Sequence, residues 1–132
     1  MAKTTKYSKL KQEMEVWPDR WKGLPEDLPV GKKIVQAMHP FVLAMVEEGL
    51  ARSTINRHMT NLWLLGGEII SRMHHESELA DLSGHELLCR FVDAEGGPYS
   101  RHLSTEAEQR AFDGTCRKLH RFLQPVRNGV DK

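Results

Sequence analysis

Two apolar stripes at helical spacing, joined at a glycine, constrain this chain more than anything else in it. Ile34, Val35, Met38, Phe41, Val42, Met45 and Val46 recur at three- and four-residue steps, and Ile55, Met59, Leu62, Leu65, Ile69 and Met73 do so after a Gly49-Leu50 turn. A 3.6-residue period puts each set on one face of a helix. The pattern predicts a helix from about Gly31 to Glu48 stopped by Gly49, then a second from about Ser53 to His75 with Ser53 or Thr54 as its cap. Pro40 lies inside the first and predicts a kink or break. Gly66-Gly67 lies inside the second, where each glycine costs about 1 kcal/mol relative to alanine. Close approach of another helix is the simplest compensation.

Two more helix starts are written in capping boxes. Ser83-Gly-His-Glu86 opens a short helix to about Ala94, carrying Leu87, Leu88, Phe91 and Val92. Thr105-Glu-Ala-Glu108 opens a last helix to about Leu123, with Phe112, Cys116, Leu119 and Leu123 on one stripe and Pro125 as the stop. β-type alternation is absent, so the expected fold is all-α, a bundle of four to five helices. The 132 residues fit one domain. Residues 1–28 read as a basic arm (Lys3, Lys6, Lys9, Lys11) and a Pro/Trp-containing linker, 29–125 as the helical bundle, and 126–132 as a C-terminal tail. Trp17 and Trp21 read as anchors that pin the linker to the core, with stacking on a base or a partner as the sharper alternative.

Apolar content of 39% and charged content of 28% suit an ordinary soluble protein. No apolar run approaches the roughly 18 residues of a membrane helix, no secretory signal is expected, and two cysteines cannot build a disulfide framework. The expected location is the cytoplasm. A net charge of +1 hides a segmented distribution: residues 1–23 carry +3, 24–51 carry −2, 52–75 carry +2, 76–98 carry −5 and 99–132 carry +3. The basic segments can form one surface for an anionic polymer, with the acidic one turned away.

Catalytic chemistry finds little support. His85 with Cys89 and Cys116 with His120 share i,i+4 spacing and would suit a zinc site if their helices met. Cys116 also belongs to an apolar stripe, so packing is the preferred reading, and no metal or cofactor is expected. His85-Glu-Leu-Leu-Cys89 lacks the second His of a zinc-protease motif. No nucleophile motif stands out, and the chain is not expected to be an enzyme. The better constellation is Arg52, Ser53, Thr54, Asn56, Arg57, His58 and Asn61 at a helix start, where amides and the dipole favour anions, arginines neutralise phosphates, and asparagines can reach backbone or base edges. Lys118 and Arg121 share one face of the last helix and add to it.

The run Phe41…Met45…Gly49-Leu-Ala-Arg-Ser-Thr-Ile55-Asn-Arg-His-Met-Thr-Asn-Leu62 resembles the N-terminal core-binding, SAM-like domain of tyrosine recombinases (phage-type integrases). The resemblance spans about Lys32 to Ile70, under a third of the chain. It implies a domain that clamps double-stranded DNA, with Arg52, Thr54 and Arg57 at the DNA edge. The family's catalytic Arg, His-x-x-Arg and Tyr have no counterpart, so the chain alone is not expected to cut and rejoin DNA. The expected function is therefore non-enzymatic DNA binding, in the setting of a mobile element and with a recombinase or other protein as a further partner. The alternative is a protein-interaction or regulatory module working through the acidic helix (Glu86, Asp93, Glu95) or the Trp17/Trp21 segment, with no nucleic acid.

Overall fold

The computed structural model describes residues 2–124. The bundle is all-α: α1 (Ala2–Met14), α2 (Trp17–Trp21), α3 (Asp27–Glu47), α4 (Arg52–Met73), α5 (Gly84–Phe91) and α6 (Glu106–Leu123), with a 3-10 turn at Ser77–Asp81 between α4 and α5. Among the described residues the one sheet-like feature is an isolated bridge between Asp93 and Gly96. The expected tail at 126–132 and the stop at Pro125 lie outside the described residues.

α3 and α4 form the centre. The α3 stripe, from Val30 to Val46, and the α4 stripe, from Ile55 to Met73, are buried as their spacing requires. α6 closes the core with Phe112, Cys116 and Leu119, and α5 with Leu87 and Leu88. Gly49 stops α3 in the left-handed conformation (φ 76°). Its N–H donates to Val46 O (3.0 Å), and Leu50 N–H donates to Met45 O (3.4 Å). This is the Schellman pattern, and Leu50 packs on the core as its hydrophobic component. Both capping boxes form: Ser83 with Glu86, and Thr105 with Glu108.

Three expectations are corrected. α3 runs through Pro40 as one helix. Pro40 has no N–H for Gln36 O, but both residues are exposed, so water can serve that carbonyl, while buried Met38, Phe41 and Val42 hold the helix on either side. α4 starts one residue earlier than expected and its N-cap is Ala51; neither Ser53 nor Thr54 caps it. The third concerns the N-terminal segment. Residues 2–21 are mostly helical rather than an arm and linker. α1 docks on α3 through Leu10 and Met14, and Trp17 joins the same core.

The short α2 is wedged between the two central helices. Trp21 Nε1 donates to Trp63 O at 3.0 Å, and its ring lies on the bare backbone at Gly66, where any Cβ would overlap it. Gly66 thus admits a tryptophan from a five-residue helix, while Gly67 only borders it. The loop behind it is tied by the buried Asp27, whose Oδ2 accepts from Gly23 N (2.8 Å), Leu24 N (2.9 Å) and His74 Nε2 (2.9 Å). Burial alone would raise the Asp27 carboxyl, but these donors outweigh it and hold it below the usual carboxylate range.

The two glycines therefore predict opposite outcomes. Gly66→Ala gains about 1 kcal/mol of helix propensity but drives a methyl into the Trp21 ring, and overpacking of this kind costs roughly 1–3 kcal/mol. Gly67→Ala meets Trp21 at an ordinary 3.5 Å and keeps its propensity gain. Urea unfolding should show Gly66→Ala less stable than the parent and Gly67→Ala equal or more stable. The reverse order would dislodge Trp21 from α4.

Candidate nucleic-acid interface at the α3–α4 turn

α4 begins at an exposed turn, and its position decides what its first residues can do. Ile55 N–H donates to Ala51 O, closing the first helical bond. The amides of Arg52, Ser53 and Thr54 have no side-chain cap, so the positive end of a 22-residue helix is open to solvent or an anion. Arg52, Ser53, Asn56 and Arg57 are exposed and Thr54 is half-buried.

His58 and Asn61 point the other way and are not surface groups. Both are buried against α6. Asn61 Nδ2 donates to Thr115 Oγ1 (2.8 Å) and to Ala111 O (3.2 Å). The Thr115 hydroxyl has one hydrogen to give, and His58 Nδ1 at 2.7 Å is a nearer acceptor than Ala111 O at 3.4 Å. An accepting Nδ1 means a neutral ring. Burial, then the charges of Arg57 and Lys118, lower the His58 pKa in agreement. The helical register accounts for the correction: positions 58 and 61 flank the buried Met59 and Leu62, whereas 52 and 56 lie on the outer side.

α1 supplies what the sequence reading placed in a loose arm. A groove of about 600 Å³ runs between α1 and the start of α4, and its walls include Lys6, Lys9 and Glu13 on one side and Arg52 and Asn56 on the other. Lys3 reaches the carboxyl end of α3, donating to Glu47 O at 3.1 Å. On the far side of the turn, Lys118 pairs with Glu48 at 3.3 Å and is half-buried, while Arg121 is exposed. Lys118 and Arg121 share a smaller apolar-floored groove with Phe41 and Phe122. Seven cations (Lys3, Lys6, Lys9, Arg52, Arg57, Lys118 and Arg121) thus surround one end of the bundle, against Glu13, Glu47 and Glu48.

The residues of the other readings have structural duties. Trp17 is buried, and Trp21 is half-buried with one side of its ring packed on Gly66. Glu86 is engaged in its capping box, and Asp93 Oδ1 accepts from Glu95 N and Gly96 N. Cys116 is buried beside Phe112 and Gly97, and burial pushes its thiol up to about 12, which disfavours a thiolate ligand. Cys89 sits 3.4 Å from His85 Nε2. Among the described residues no group of three or more His, Cys, Asp or Glu is placed to hold a metal. No described helix is long and apolar enough to cross a membrane.

The sequence reading missed an exposed aromatic on α4. Trp63 follows Leu62 in α4 and is 41% exposed. It lies one step off the apolar stripe, and a helical projection of α4 would have singled it out. Compared with family models, curated proteins and solved structures, the chain matches none of them.

The buried imidazoles give a pH prediction. Burial lowers both His58 and His39, with nearby Lys11 adding to the effect at His39. An unfolded histidine takes a proton near pH 6.5, while these folded ones resist it. Below that pH the unfolded chain binds more protons, so this contribution is present above about 6.5 and is lost as pH falls through the depressed folded values. The urea midpoint should be lower at pH 5.5 than at 7.5, and His58→Leu should shrink the difference. A midpoint that rises on acidification would contradict the assignment.

Proposed function

We propose that this chain is a non-enzymatic helical domain that binds double-stranded DNA at the α3–α4 turn, in the manner of the SAM-like, core-binding domain of tyrosine recombinases. The carrying observation is the placement of Lys6 and Lys9 across a groove from Arg52 and Asn56. Cations from three helices, with the uncapped start of α4, frame a surface suited to consecutive phosphates. Arg52, Ser53, Asn56 and Arg57 would reach the backbone or base edges, Thr54 would contribute its amide, and Lys6, Lys9 and Arg121 would flank them. Lys118 would act after leaving Glu48. His58 and Asn61 drop out of the contact set and become supports of α4.

The resemblance agrees with the α3, Gly-Leu turn and α4 register, and it makes a mobile-element setting and a recombinase partner natural extensions. The Trp17/Trp21 form of the protein-docking alternative loses support because Trp17 is buried and one side of the Trp21 ring is packed on Gly66.

The test is binding of a labelled duplex at rising salt. Each neutralised phosphate contributes a slope of about −0.9 in log K against log salt. Lys6→Glu with Arg52→Glu should weaken binding and flatten the slope by roughly 2 units. Asn61→Ala should destabilise the fold without changing the slope. Absence of duplex binding at low salt, or a double variant indistinguishable from the parent, would overturn the reading.

A further inference from the structure

The groove beside Arg52 is one end of a longer track. Arg52, Asn56, Thr60, Trp63, Gly67 and Ser71 follow each other at steps of three and four along α4, so they share one helix face. At 1.5 Å per residue the face runs about 28 Å. The first concavity along it is walled by Lys6, Lys9 and Arg52. The next shares Asn56 and Glu13 with the first and ends at Trp63. Beyond Trp63 lies a third, of about 250 Å³, with Arg20, Arg101 and His102 on its walls and Glu68 as the opposing charge. An exposed indole therefore stands midway between two groups of cations.

Trp63 presents an exposed ring from a stretch of backbone that is itself held. Its carbonyl oxygen takes the Trp21 indole N–H, and Trp21 is fixed in turn by Gly66. Among the described residues the Trp63 ring stacks on no second aromatic, since the ring pairs there are Trp17 with Trp21 and Phe41 with Phe122. A stacked duplex offers such a ring only base edges and phosphates. An unpaired base offers a π-face, and basic tracks with interleaved aromatics are the physical pattern for single-stranded polynucleotide.

We infer that the α4 track takes an unpaired stretch of polynucleotide, with a base on Trp63 and the flanking phosphates on Lys6, Lys9 and Arg52 at one end and Arg20 and Arg101 at the other. The inference rests on the nucleic-acid reading above and specifies the form of strand that this face selects. Deoxyribose and ribose strands share the chemistry it uses.

The experiment is fluorescence titration at fixed salt with four probes: a 12-nucleotide oligodeoxythymidylate, its oligouridylate counterpart, a blunt duplex, and the same duplex with a central unpaired bubble. The single strands or the bubble should bind at least tenfold more tightly than the blunt duplex and quench tryptophan emission. Trp63→Ala should lose roughly 5- to 100-fold in affinity for the unpaired probes, as expected for one stacked base, with blunt-duplex affinity unchanged. Trp63→Phe should keep most of the affinity and lose the quench, which shows that the variant is folded and that the ring does the stacking. Preference between the deoxy and ribo strands, on top of binding, supports the inference and identifies the source. Unpaired probes that bind no better than duplex, or that ignore Trp63→Ala, would overturn this inference and leave the duplex reading standing. Unpaired binding without duplex binding would support it and overturn the duplex reading, and binding of no probe would overturn both.

Discussion

The Trp21 ring lying on the bare backbone of Gly66 is the contact on which the proposed surface depends. A five-residue helix has little stability of its own, because helix nucleation is costly and few turns repay it. α2 is held by what its tryptophans touch: Trp17 in the core, Trp21 on α4 and bonded to Trp63 O. The Asp27 clasp then fixes the chain behind it, tying the α2–α3 loop to His74 at the far end of α4. With α2 so held, α1 returns along α3, and Lys6 and Lys9 come to stand across the groove from Arg52. The loss of helix propensity at Gly66 is thus coupled to the position of Lys6 and Lys9, a long way off in sequence.

The α4 helix divides its polar residues between two tasks. His58 and Asn61 share the Thr115 hydroxyl inside the bundle, where an unpartnered donor or acceptor costs on the order of 1–3 kcal/mol. That buried bridge fixes the rotation of α4 against α6. The same rotation turns Arg52 and Asn56 outward to the groove and leaves Arg57 exposed. Polar side chains within ten residues of each other therefore act as internal fasteners or as external contacts, according to the helical angle alone.

Much of this was legible in the sequence, and the exceptions have physical causes. The α3 and α4 stripes, the Gly49 stop and both capping boxes were readable because each depends on residues adjacent in the chain. α1 was not: Tyr7, Leu10 and Met14 make a thin apolar stripe among lysines, and only the docking surface of α3 makes it a helix. The N-cap at Ala51 was missed because Ser53 and Thr54 are better intrinsic caps, and the Schellman turn at Gly49–Leu50 sets the start instead. His58 and Asn61 look like nucleic-acid ligands by type, and Thr115, more than fifty residues away, claims them. Trp63 was hidden by an apolar neighbourhood whose face it does not share.

The central claim is that α1 and the start of α4 form one nucleic-acid surface. Its most direct test is two-dimensional amide NMR of the labelled protein during titration with a short nucleic acid. The account predicts concerted shifts for the amides of Lys6 and Lys9 in α1 and of Arg52, Ser53 and Thr54 in α4, with α5 unmoved. Shifts confined to α5 and the acidic 76–98 segment, or α4 shifts without those of α1, would contradict it.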